Sequence, residues 1–291
     1  MSKGIGNVNY IRQGSQVTVG DQPNWNFLYQ ASTVRDPRFF VGDRQVTPDG
    51  RSFYYALAGG TLHSEFGVCV PDLSITNAVA PAQSTIYGPV INAFGVSGTT
   101  VAGSAGAGVV TITVGATDGI ASDGVVAVDS MRGGTIVIGN GTSQHPQCRG
   151  IIGNSAVAAG GGSMDVYLDA PLVVAVTVAT TNIEAYFSPF VNVKSMNSVN
   201  SAYATCIGAA ALDGVTVGQY TWIQTWGRVW LTSDGNTGKA AHGKDLYINT
   251  DGSLRGATTT TYAGYQRVGT GLDLSASGTS NGPNCLLQIM P

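Results

Sequence analysis

Charge is what this chain of 291 residues has least of. Asp, Glu, Lys and Arg make up 11% of it, against about 25% in ordinary soluble domains. Glutamate occurs only as Glu65 and Glu184, and lysine only as Lys3, Lys194, Lys239 and Lys244. Exposed helices are clothed in Glu, Lys, Gln and Arg, so many of them are excluded. The formal net charge is −3 without a basic run, which argues against nucleic acid as a partner. No apolar run approaches the ~20 residues that span a bilayer. The longest, Pro171–Ala179, reads as a buried strand, so no membrane partner is expected. The opening Met-Ser-Lys-Gly-Ile-Gly-Asn lacks the apolar stretch of a secretory signal.

Residues that carry chemistry are equally sparse. Histidine is limited to His63, His145 and His242. Only His145 and Cys148, in His-Pro-Gln-Cys, have metal-ligand spacing, and no complementary pair exists, so no metal site is expected. Cys69, Cys148, Cys206 and Cys285 form no Cys-x-x-Cys and read as buried thiols of a protein made in a reducing cytosol. There is no Gly-x-Ser-x-Gly nucleophile motif. Gly139–Gly141 and Gly160–Gly162 lack the following helix that a phosphate cradle requires, and turns explain them better. Gly160–Leu168 is a single Gly/Asp turn without the repetition of calcium-binding arrays. The carboxylate pairs Asp165/Asp169 and Asp118/Asp123 read as turn caps rather than a glycosidase pair facing across a cleft. Neither a cofactor nor an enzymatic activity is expected.

Glycine is plentiful, at 41 residues, about double the usual share. Asp-Gly recurs at 49, 118, 123, 213, 234 and 251, and Asn-Gly at 140 and 281. Both dipeptides suit tight hairpin turns. Between them lie strand-like runs at 108–114, 124–129, 135–138, 164–169, 172–179, 190–194 and 245–249. Short strands with this punctuation predict an all-β protein, a sandwich or a barrel. Residues 1–75, polar and turn-rich, predict an extended N-terminal arm; 76–106, rich in Ala, Gly, Ser and Thr, a linker; and 107–291 the β body. Clustered alanines make Ser201–Leu212 the one helical patch on offer, weakened by Thr205, Ile207 and Gly208.

The most distinctive stretch, 218–231, holds three of the four tryptophans. Its β-branched residues and bracketing glycines favour a strand over a helix, with a bulge at Gly227. Alternation then places Tyr220, Trp222, Gln224, Trp226, Arg228 and Trp230 on one face. Thr221, Ile223, Thr225, Val229 and Leu231 make the opposite, core-like face. The aromatic face fits a core, a subunit interface or a sugar-stacking surface, and Arg228 favours an interface over a dry core.

Two stretches resemble a known group. Thr216-Val-Gly-Gln-Tyr-Thr-Trp-Ile-Gln-Thr-Trp-Gly-Arg-Val resembles the Gly-x-Tyr-x-Trp-x-Gln-x-x-Gly signature of capsid-associated, or decoration, proteins of tailed bacteriophages. Thr47-Pro-Asp-Gly-Arg-Ser-Phe-Tyr-Tyr-Ala-Leu-Ala-Gly59 is similar to the opening of the same group and adds Arg51, Phe53 and Tyr55 as interface candidates. A Gly-rich strand pair near 124–139, the turn at 169–172 and the terminal strand Leu286–Met290 follow in matching order. Residues 140–163 and 275–285 depart from the group. The resemblance implies a cement protein of the virion surface, assembled in the host cytoplasm, a homotrimer whose partner is the major capsid protein. The low charge agrees, since a subunit of a permanent assembly covers much of its surface with neighbours. The alternative is a tail or fibre module that binds host glycans through the aromatic face.

Overall fold

The structure is a computed structural model that describes residues 25–70, 90–93, 103–116, 118–119, 123–140, 143–175, 181–199, 204–234, 243–257, 265–272 and 284–290. It is all-β, as the composition predicts. A 3-10 turn at Trp25–Tyr29 precedes β1 (Arg44–Val46), β2 (Ser52–Ala58) and β3 (Gly67–Val70). Six strands then build a sheet of their own: β4 (Val90–Ala93), β5 (Val109–Val114), β6 (Thr135–Asn140), β7 (Ser143–Asn154), β8 (Gly162–Leu168) and β9 (Thr181–Tyr186). β10 (Val191–Ser195), the short helix Met196–Val199, β11 (Thr205–Ala210) and β12 (Tyr220–Trp230) return to the first sheet. β13 (Gly243–Ile248), β14 (Leu254–Ala257), β15 (Arg267–Gly271) and β16 (Asn284–Gln288) complete it.

The first sheet has ten strands, ordered β1-β2-β10-β3-β11-β12-β16-β15-β13-β14, and β2 also pairs with β12. That extra pairing closes β2, β10, β3, β11 and β12 into a five-stranded barrel. Its β2–β10 seam is parallel, and its other four seams are antiparallel. The other sheet, ordered β4-β9-β6-β7-β8-β5, is a curled half-barrel whose sequence lies between β3 and β10.

Barrel width decides where the large side chains go. Barrel diameter grows with strand number, so five strands leave a narrow interior. Small and branched residues fill it: Ala56, Ala58, Val68, Val193, Ile207, Ala210 and Ile223, closed at the ends by Leu62, Phe190 and Val215. Tyr54 of β2 stacks on Phe190 at the barrel end, whereas Phe53 and Tyr55 of β2 and Trp222 of β12 are left on the outside of the barrel wall. There Phe53, Tyr55 and Trp222 are buried by a lid, the segment carrying Phe27, Leu28 and Phe39. Trp222, 2% exposed, has its ring 4.9 Å from Phe39, 5.1 Å from Tyr55 and 5.5 Å from Phe27. Edge-on and tilted aromatic pairs of this kind add about 0.5–1.5 kcal/mol each beyond area burial.

This corrects the arm expected over 1–75. Residues 25–70 belong to the body: β2 is a wall of the barrel, and residues 25–43 roof its aromatic outer surface. Their polar, turn-rich composition reflects a lid of turns, which looks like an arm in one dimension. Residues 1–24 and 71–75 lie outside the described ones. Within the expected linker, 90–93 form β4 on the edge of the half-barrel. The helical patch at Ser201–Leu212 is overturned as well, since Thr205–Ala210 is β11. Ala204, Ala209 and Ala210 are there because small side chains fit against the barrel wall and interior. Pro171–Ala179 is no buried strand over its described part: Leu172 is buried, but Val173 is 74% and Val174 48% exposed. Of 124–129, only Val126 pairs, as an isolated bridge to Val157. The remaining predicted runs coincide with β5, β6, β8, β10 and β13 to within a few residues. The described Asp-Gly glycines, at 50, 119, 124, 214 and 252, all have positive φ, as tight turns require.

Candidate functional site

β12 is where the two distinctive stretches meet. It pairs antiparallel with β2, setting Trp222 opposite Tyr55 and Gln224 opposite Phe53. The register then slips, and Trp226 stands opposite Ser52. One residue of β12 is thus unmatched, a bulge just before Gly227 rather than at it. Gly227 has φ +94°, and a Cβ there would lie 3.0 Å from the Arg51 Cα and 2.8 Å from its Cγ. Glycine is required at this point both by conformation and by the close passage of Arg51.

The bulge divides the predicted aromatic face in two. Before it, Trp222 is buried against the lid, Gln224 is buried on the same face, and Thr221, Ile223 and Thr225 are buried on the other face. After it, Trp226, Arg228 and Trp230 stand opposite Gln288, Leu286 and Asn284 of β16. Paired residues share a face, and none of these six is buried. Val229 and Leu231 take the opposite side and pack with Leu287 and Cys285. The outward row is thus half-buried Trp226, exposed Arg228 and Trp230, the last 41% exposed. Across β16 it continues to Thr270, whose hydroxyl contacts Gln288, and to the Arg267–Asp245 pair at 2.9 Å.

Arg51, Phe53 and Tyr55 occupy three different environments. Phe53 is fully buried beneath the lid. Tyr55 is 4% exposed and accepts the Asp36 amide at 3.1 Å; burial pushes its phenol pKa up. Arg51 lies at the surface, with Nε 2.7 Å from Asp49 Oδ2 and a terminal nitrogen donating to the Tyr29 hydroxyl at 2.8 Å. Burial by itself would lower the Arg51 pKa, but the Tyr29 hydroxyl and the Asp49 carboxylate together outweigh it, and the pKa is raised. Burial is likewise outweighed at Asp49, where the hydrogen bonds from Thr47 and Arg51 hold the carboxyl below its ordinary value. Arg228 differs: among the described residues it has no carboxylate partner.

A second feature sits at the edge of the lid. An open pocket is lined by Phe27, Gln30, Ser32, Asp36, Tyr55, Tyr220 and Trp222. Tyr55 and Tyr220 stack across its floor at 5.7 Å and 15°. Asp36 is held by Arg38 at 2.6 Å, and that hydrogen-bonded guanidinium keeps the Asp36 carboxyl below its ordinary value. Sequence periodicity could not find this pocket, because residues of the lid supply one side of it.

The other sequence-derived candidates act locally. Asp118 accepts the Gly115 amide at 2.7 Å and Asp123 the Val125 amide at 3.0 Å, both turn caps. Asp165 accepts the Thr111 hydroxyl at 2.6 Å across β5 and β8. His63 lies 3.6 Å from Asp213 on the surface. The side chain of His145, and His242, lie outside the described residues. No group of three His, Cys, Asp or Glu side chains suited to a metal occurs among the described residues. Cys69, Cys206 and Cys285 are buried as expected, whereas Cys148 is exposed on β7, because the half-barrel turns that position outward. No described helix is long and apolar enough to cross a membrane. Compared with known protein families, with curated proteins and with solved structures, the chain matches none.

Proposed function

We propose that this protein is a non-enzymatic structural component of a tailed-phage virion, a decoration protein that binds the major capsid protein on the head surface. The observation that carries the reading is the outward row Trp226, Arg228 and Trp230: two large aromatics flank a cation that has no carboxylate partner among the described residues, on an open sheet face. Trp and Arg are the side chains most enriched at the energetic centres of interfaces. A chain with 11% charge gains by covering such a face. The two stretches that resemble decoration proteins also lie side by side, as β2 and β12. A shell component of this kind would stabilise the lattice by binding only its assembled form.

Purified virions analysed by mass spectrometry and electron microscopy should contain the chain in stoichiometric amount on the head. Its restriction to the lysate of infected cells, with none on particles, overturns the reading. The pocket between Tyr220 and the lid favours a second reading, a tail or fibre module for host glycans, because stacked aromatics beside Gln30, Ser32 and Asp36 combine an apolar platform with hydrogen-bonding groups. Binding on a glycan array that is lost in a folded Tyr220→Ala variant would replace the first reading with the second.

A further inference from the structure

Among the described residues the half-barrel presents a second uncovered face, opposite in charge to the first. Side chains of β5, β6, β7 and β8 alternate between the core and solvent. Val110, Ile112, Ile136, Ile151, Met164, Val166 and Leu168 point inward. Outward stand Tyr167 and, paired with it, Val109 at 39% exposure each. Beside them a register slip between Ile151 and Gly153 turns Ile152 out to 54% exposure. Tyr186, opposite Thr135, extends the face at 38%. The charges here are carboxylates. Asp165 stands opposite Thr111, and Asp169 reaches over Gly150, its Oδ2 2.6 Å from where a Cβ would be. Among the described residues neither carboxylate has a cationic partner.

We infer that the Trp226–Arg228–Trp230 face of one copy docks on the Val109–Tyr167–Ile152 face of a second copy, with Arg228 set against Asp165 and Asp169. Each face supplies what the other lacks. One carries a cation between two indoles; the other carries two carboxylates beside two tyrosines, an isoleucine and a valine. The faces differ, so the contact is head-to-tail, which closes into a ring or propagates according to the rotation between copies. It is not the self-complementary contact of a two-fold dimer. Charge pairs between such patches set orientation and exclude wrong partners, while the flanking aromatics supply contact area.

This deepens the reading of the Trp row as an assembly contact and rests on it. The test is a charge exchange followed by sedimentation velocity and light scattering at micromolar concentration. Both residues concerned are on the surface, so thermal melts of each variant should match the parent and confirm folding. Arg228→Glu alone should weaken self-association about tenfold or more, because like charges then face one another. Asp169→Arg alone should do the same. Combining the two substitutions in one chain should restore association, since the acidic Trp face of each copy then meets the cation on the next. A parent chain that stays monomeric, or single variants that associate unchanged, overturns the contact. If a monomeric chain nonetheless binds phage heads, the head-to-tail contact is wrong while the virion reading stands.

Discussion

The side-chain amide of Gln224 donates to the main-chain carbonyls of Arg228 at 2.8 Å and of Trp226 at 3.2 Å. These are carbonyls on the far side of the bulge, so one buried side chain, 5% exposed, fastens the turn-out of β12. Without it, two carbonyl groups near a protein interior lose their donor, and unmet buried polar groups cost about 1–3 kcal/mol. Gln224→Ala should therefore destabilise by about 2–3 kcal/mol, read from urea unfolding followed by circular dichroism. Gln224→Glu should be worse, because an ionised carboxylate offers no donor to either oxygen. Equal stability in all three would show that the bulge holds itself.

The bulge also predicts opposite behaviour for tryptophans on either side of it. Trp222 lies in a cluster with Phe39, Tyr55 and Phe27, and Trp222→Ala should cost about 3–5 kcal/mol. Trp230, 41% exposed, should tolerate alanine within about 0.5–1 kcal/mol. Thermal melts of the two variants decide it. A large loss at Trp230 would place that ring in a core, and the row would cease to be a contact surface.

How much of this was legible in the sequence depends on the scale of the cause. The all-β class followed from scarce Glu and Lys and from Asp-Gly turns, which act locally, and strands such as Val109–Val114 and Gly162–Leu168 lie where alternation put them. The strand at 218–231 was equally plain, yet its faces were not. Alternation assumes that both sides of a strand keep one environment along its length. β12 passes from a barrel wall to an open sheet, and the slip between Gln224 and Trp226 changes its partner as it does so. Lid and barrel were hidden for a related reason. β2 and β12 are far apart in the chain, and local composition carries no trace of a pairing that distant. Ala209 and Ala210 favour a helix by propensity, which is blind to the packed outer wall that selects the first and the narrow barrel interior that selects the second.

Thiol chemistry should separate one cysteine from three. Cys69 and Cys206 face one another across β3 and β11, at 0% and 1% exposure, and Cys285 is 1% exposed in the same cluster. Burial pushes the Cys206 thiol up to about 12, so hardly any thiolate exists at neutral pH. Cys148 is exposed. A maleimide should label the native protein once, and a Cys148→Ser variant not at all until denaturant is added, as intact mass will report. Rapid multiple labelling of the native chain would mean that the β13–β16 strands do not cover the barrel wall.

Acid should act on this fold partly through Asp118, in the opposite sense to most carboxylates. Burial raises its pKa above the ordinary 3.8, against a smaller lowering by the Gly115 amide bond. The folded protein therefore keeps this proton to higher pH than the unfolded chain does. Stability must fall as pH rises from the unfolded value through the folded one, and then level off. Asp118→Asn retains an oxygen acceptor for the Gly115 amide, at 2.7 Å in the parent, but never ionises. The variant should match the parent in acid below the ordinary aspartate range and exceed it at neutral pH. Urea midpoints measured across that range give the difference directly. A gap that does not change with pH would trace any gain to packing or to a new hydrogen bond, and would remove the buried charge as its cause.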